Sequence, residues 1–259
     1  MTHLALSYAV RDFYDLDRNL IPLTFLRFLA IVLFLTGTLL QPAMAREPRR
    51  DPVSMRIRIL YLGADAFGAS PYPTYVIDPL TYIVALTSMG GKTQTEIDKK
   101  MRIYMPRNYL DLVAKYDLII MSDTVANFQS HYVQWLRDSV IEDGLGLLMV
   151  GGYGSFGGVP YLESNWGATV LQDALPVICI HLGWDQGDQS ISQAGILEIV
   201  DHEDEFVTSL PFDEIGPYGV FHGVNIVKLK QTSELLANYR KSAGLRYPLM
   251  VYEEIGKGS

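Results

Sequence analysis

The chain has 259 residues, which at about 150 residues per domain allows one large domain or two small ones. Apolar residues make up 49% and charged residues 19%, with a mean hydropathy of +0.13, a globular composition that excludes wholesale disorder. Acidic residues outnumber basic ones by 29 to 21, a net charge of −8, so there is no electrostatic footprint for nucleic-acid phosphates and no nucleic-acid partner is expected. The single cysteine, Cys179, excludes an internal disulfide and a CxxC metal site. His131, His181, His202 and His222 lack metal-ligand spacing, so neither a metal nor a cofactor is expected.

Hydrophobicity is concentrated at the N-terminus. From Leu20 to Ala45 the only charge is Arg27, and Phe28 to Leu40 is an unbroken apolar and small-residue run. Arg27, the apolar run and Ala43-Met44-Ala45 match the basic start, apolar middle and small-residue site of a secretory signal peptide, with cleavage near Ala45. Arg46, Arg49 and Arg50 just downstream favour retention as an anchor instead. A third reading starts the protein at Met55 and leaves the upstream segment untranslated. The expectation is membrane association through residues 20–45, or export after cleavage, with residues 1–54 as signal or anchor plus a polar linker (REPRRDP) and residues 55–259 as the domain.

Along the domain, Arg56 to Leu62 (RIRILYL) ending at Gly63 predicts a first strand. Ile77 to Met89 predicts a helix, with Asp78 as cap, Pro79 at its first position and Gly90-Gly91 as its stop. Lys115 to Asp123 (KYDLIIMSD) is a continuously apolar strand of the kind buried on both faces. Ser130 to Glu142 predicts a helix, with Val133, Leu136, Val140 and Ile141 at helical spacing and Gly144 closing it. Gly146 to Val150 predicts a strand running into GGYGSFGG at Gly151 to Gly158. Alternation of strand and helix implies parallel pairing with right-handed crossovers, a three-layer doubly wound α/β domain with a mostly parallel sheet. Beyond Pro176 the segments 177–181, 195–200, 224–230 and 248–253 predict a β-rich C-terminal part.

These stretches carry a resemblance. YDLIIMSD (Tyr116–Asp123), GLGLLMVGGYGSFGG (Gly144–Gly158), LPV (Leu175–Val177) and the terminal YPLMVYEEIGKGS resemble the class I glutamine amidotransferase-like family, of flavodoxin-type fold and related to trehalose-utilisation-like proteins. The resemblance covers about residues 55–259. It implies a nucleophilic cysteine on a sharp turn after a strand, with a histidine and a carboxylate to activate it. On this alignment Gly151 or Gly152 stands at the nucleophile's place. Cys179 lies in PVICIHLGWDQ, after the LPV element, and is expected to be a buried structural thiol. The resemblance also implies a further strand after the GKG turn, so the chain is expected to be truncated at Ser259.

In open α/β sheets ligands bind beyond the carboxyl ends of the strands. Gly63 and Asp65, Ser122 and Asp123 with Asn127, and Gly151, Gly152, Tyr153 and Ser155 are expected to converge there, as a site for a small polar ligand. Asp123, Ser155 and His222 are the candidates for catalysis, with Ser155 a near miss for the hydrolase turn G-x-S-x-G and expected rather to hold the turn. Tyr153, Tyr161 and Trp166 are candidates for an aromatic stacking surface, although aromatics in such loops more often close the core. LTSMGGKT (Leu86–Thr93) is a near miss for a phosphate loop, at a helix end where the motif should follow a strand. The functional expectation is a non-catalytic ligand-binding or interaction domain lacking the nucleophile, serving a protein partner or a second copy. The alternative is a hydrolase or isomerase-like enzyme on a small polar or carbohydrate substrate.

Overall fold

The computed structural model describes residues 49–63, 81–86, 93–128, 130–162, 164–186, 196–210, 223–241 and 244–259. The chain divides into two compact units, Met1–Pro48 and Arg49–Ser259. The first unit, with the apolar segment 20–45 and the cleavage site near Ala45, lies outside the described residues, as do Asp65 and His222. Among the described residues no helix is long and apolar enough to cross a membrane.

The second unit is built on four parallel strands in the order β2-β1-β3-β4. They are β1 (Ile57–Gly63), β2 (Thr81–Leu86), β3 (Leu118–Ser122) and β4 (Gly146–Val150). The strand β2 corrects the predicted helix over 77–89: Thr81–Leu86 pairs in parallel with Ile57–Leu62. Its consecutive Thr, Tyr, Ile and Val favour the pleated backbone, and the neighbouring strand decides between two patterns the sequence leaves close. The helices are α1 (Gln94–Tyr104), α2 (Tyr109–Lys115), α3 (Ser130–Ile141) and the short α4 (Glu205–Ser209).

Three of the four helix starts have a side-chain cap. Thr93, the last residue of the phosphate-loop near miss, which begins at the end of strand β2 and not at the expected helix end, caps α1 reciprocally with Glu96: Thr93 N donates to Glu96 Oε2 at 2.9 Å and Glu96 N to Thr93 Oγ1 at 3.4 Å. Asn108 Oδ1 accepts Asp111 N at 2.9 Å to start α2. Asp204 Oδ1 accepts Val207 N at 2.9 Å to cap α4. One face of the sheet (Leu60, Leu62, Ile119, Met121) packs on Ile97 and Met101 of α1, Leu112 of α2, and Val133, Leu136 and Val140 of α3. Burying a side chain such as Leu136 stabilises the fold by roughly 1.5–3 kcal/mol. Ile59, Tyr61 and Ile120 form a second cluster on the opposite face, with Ile57, Leu118 and Val150 against it.

The β-rich part forms two separate antiparallel sheets rather than an extension of the parallel one. β5 (Val177–Gln186) pairs with β7 (Gly223–Leu229), and β6 (Ile196–Ile199), β8 (Glu234–Arg240) and β9 (Arg246–Tyr252) form the other. The terminal glycine turn packs on α3 and β4. Lys257 N donates to Ile141 O at 2.9 Å and Leu147 N donates to Ser259 O at 2.7 Å.

At the N-terminal ends of the parallel strands Asp117 is buried beneath two arginines. Arg58 grips it through Nε to Oδ2 at 2.9 Å and Nη2 to Oδ1 at 2.7 Å, and the Arg58 amide adds a third bond at 3.0 Å. Arg49, the first residue of the unit, stands 3.7 Å from Asp117 and donates to Asp143 O and Val113 O. Arg49 is thus held at the edge opposite the strand ends that form the candidate site.

Candidate functional site

Register brings the carboxyl ends of three strands level: Gly63 of β1 stands opposite Ser122 of β3, and Ser122 opposite Val150 of β4. Ser122, Asp123, Gly151, Gly152, Tyr153 and Ser155 therefore lie at or just beyond these ends. Asn127 is further along the loop after β3, where its carbonyl accepts from Gln94 Nε2 at 2.9 Å and its Oδ1 is buried without a partner.

Asp123 follows β3 directly and adopts φ 47°, a left-handed conformation that aspartate tolerates better than most residues. The kink turns its side chain toward the Gly-rich segment, where Oδ1 accepts the Gly154 amide at 2.6 Å. A Cβ on Gly152 would lie 2.5 Å from Asp123 Cγ and Oδ1, so only glycine fits beside this carboxylate. The turn is held from below as well. Thr124 Oγ1 donates to Leu62 O at 2.7 Å, Ser164 Oγ donates to Gly154 O and receives Ala126 N, and Asn225 of β7 bonds to both backbone groups of Gly152.

For Ser155 and Trp166 the structure favours the structural one of the two expected roles. Ser155 is almost fully buried and its hydroxyl is spent on Val150 O at 2.6 Å, so it holds the turn and presents no nucleophile. Trp166 does not form a stacking surface. It has no exposed area, meets Phe128 edge-on at 5.6 Å and donates its indole N–H to Thr124 O at 2.7 Å, which makes it a core residue.

Beside the turn the exposed Tyr153 and Tyr161 meet the half-buried Trp184. Tyr153 lies 5.9 Å from Tyr161 and 5.1 Å from Trp184, with tilts of 57° and 54°. Trp184 and Asn225 are cross-strand partners beside a bulge in β5 where Leu182 has φ 56°. Neither was singled out from sequence. The signal for Asn225 was a polar residue within the apolar strand VNIV, three positions past His222. Trp184 closes the PVICIHLGW segment weighed only for its cysteine.

Cys179 lies on β5, half-buried against the main core, and its amide donates to Gln172 Oε1 at 2.9 Å. Burial pushes its thiol up to about 12, with a small opposing pull from Lys230. Such a thiol is neutral and unactivated near pH 7. Among the described residues no cluster of three His, Cys, Asp or Glu side chains could hold a metal ion.

Residues 55–259 match the family model described as "Putative glutamine amidotransferase". Among solved structures the chain is similar to Cytoplasmic Protein STM1381 from Salmonella typhimurium LT2, at 21% identity and a TM-score of 0.58 over 78% of this chain and 84% of that one. At that identity the likeness shows the fold. No match is found among curated proteins.

Proposed function

The chain belongs to the glutamine amidotransferase-like family, and from that premise we propose that its domain binds a small polar ligand at the ends of β3 and β4 without glutaminase chemistry. One observation carries the reading. The turn after β4, where class I amidotransferases bear their cysteine, has Gly151 and Gly152, and at Gly152 the Asp123 side chain occupies the space a thiol-bearing Cβ needs. Glutamine hydrolysis requires a thiolate beside a base. The one cysteine is on another strand with a raised pKa, and Ser155 is committed to the turn.

Asp123 remains free for ligand binding, with one oxygen on Gly154 N and no ion pair among the described residues. Its left-handed backbone, a conformation that clusters at functional sites, supports a second reading: a hydrolase or isomerase-like activity on a small polar or carbohydrate substrate with Asp123 as acid or base. Membrane association through residues 20–45, or export after cleavage near Ala45, and service to a protein partner or second copy complete the proposal. The acidic balance argues against a nucleic-acid partner.

The test is an ammonia-release assay on the full chain with glutamine, run beside Cys179→Ala, and a thermal-shift screen of metabolites run beside Asp123→Asn. No glutamine hydrolysis and a stabilising ligand whose effect weakens in Asp123→Asn are expected. Hydrolysis that disappears in Cys179→Ala, or a screen in which no compound stabilises the protein, overturns the reading.

A further inference from the structure

Four buried or half-buried carboxylates in this domain are matched to cations, whereas Glu253, Asp143 and Asp204 are met by hydroxyls or a backbone amide. Asp117 has Arg58, Asp138 has Arg137, Asp185 has Lys241, and Glu198 has Arg240 and Arg246. Asp123 has no such partner among the described residues, although the Gly154 amide and its own kinked backbone fix its direction. The turn that Asp123 holds carries an aromatic side chain. Tyr153 is held between Gly152 and Gly154, both of which touch Asp123, and it makes ring contact with Tyr161 on one side and Trp184 on the other. Trp184 is fixed in turn by Gly223, where a Cβ would come within 2.1 Å of its ring. Tyr161 is 71% exposed and Tyr153 37% exposed, so these faces are open to solvent.

We propose that the ligand of this site is a small organic ammonium, seated with its positive charge toward the Asp123 carboxylate and its alkyl groups against Tyr153, Tyr161 and Trp184. The inference rests on the reading of the strand ends as a ligand site and specifies the ligand's charge. A fixed carboxylate attracts a cation, and the negative face of an aromatic ring adds to that attraction. An anionic ligand meets repulsion from both. A neutral polyol gains hydrogen bonds from Asp123 but nothing from the ring quadrupoles. Partial desolvation first, then Tyr153 and Asp123, push the Tyr161 phenol up, so this ring stays uncharged near neutral pH and does not add a competing anion.

The experiment is titration of the full-length protein with tetramethylammonium, its neutral near-isostere tert-butanol, and acetate, followed through the Trp184 indole N–H resonance. Tetramethylammonium is expected to bind at least roughly fivefold more tightly than tert-butanol, with acetate not binding and with affinity falling as salt rises. Asp123→Asn keeps the oxygen that accepts Gly154 N and tolerates the same backbone, so it tests charge without removing the turn. It should abolish the preference for the cation. Tyr161→Leu, at an exposed position, should weaken the cation by about threefold and leave the fold untouched. Equal binding of cation and tert-butanol, or a preference that survives Asp123→Asn, overturns the inference and leaves the ligand-site reading standing. No stabilisation by any compound of the wider screen removes both.

Discussion

Asn225 presents its side-chain amide to Gly152 as a neighbouring strand would present its backbone: Oδ1 accepts Gly152 N at 2.9 Å and Nδ2 donates to Gly152 O at 3.1 Å. The same Nδ2 lies 3.3 Å from Ser155 O. One buried side chain on β7 therefore satisfies the polar backbone of the turn that ends β4, and ties the antiparallel pair to the parallel sheet. Asn225→Leu should destabilise the domain by about 2–4 kcal/mol, because it leaves several buried polar groups unpaired. Urea unfolding gives the number. Native-state hydrogen exchange should show the Gly152 amide losing protection first, and an unchanged exchange rate at Gly152 would contradict the assigned role.

Glycines in this chain divide into those that packing demands and those that it merely permits. A Cβ on Gly157 would sit 1.7 Å from Ile180 O, so Gly157→Ala must displace β5 from the Gly-rich turn. We expect a loss of about 3 kcal/mol or more. Gly244 has φ +80° and nothing within 4 Å, so Gly244→Ala should cost only about 1 kcal/mol of backbone strain. Equal melting temperatures for the two variants would refute this ranking.

Burial pushes the Asp117 carboxyl up, but the hydrogen bonds and charge of Arg58 outweigh it and hold the group below the usual carboxylate range. A lowered folded-state pKa gives stability that is complete above the unfolded value, about 3.9, and is lost as pH falls through the folded value. Asp117→Asn should cost about 3 kcal/mol near neutral pH, since it leaves the Arg58 charge without its partner. The gap between wild type and variant should narrow below about pH 4. A gap that stays constant from pH 7 to about pH 2 would show that the ion pair contributes no pH-dependent stability.

With its thiol pushed up to about 12, Cys179 should be almost entirely protonated at pH 8, with a thiolate fraction on the order of 10⁻⁴. Iodoacetamide should therefore label the folded protein at least about a hundredfold more slowly than the urea-unfolded chain. Mass spectrometry over time measures both rates. Rapid labelling of the folded state would mean an activated cysteine and would reopen glutaminase chemistry.

Local patterning determined most of the parallel layer. Strand β4 falls where GLLMV predicts it, the strand predicted over 115–123 contains β3, and α3 begins at Ser130 with Val133, Leu136 and Val140 buried as their spacing requires. Apolar periodicity and turn glycines are short-range properties, legible one segment at a time. Thr81–Leu86 was not legible in this way, because its choice of strand over helix depends on pairing with Ile57–Leu62. The candidate site divides along the same line. Its strand-end members Ser122, Asp123, Gly151 and Gly152 follow from the rule that doubly wound sheets bind at their carboxyl ends. Asn225 and Trp184 come from a strand more than seventy residues downstream of the turn in one case and thirty in the other, and only the folded chain sets them against it. That Trp184 and not Trp166 meets the exposed tyrosines has the same cause: both are tryptophans near the Gly-rich turn, and burial against Phe128 and Thr124, a tertiary fact, puts Trp166 in the core.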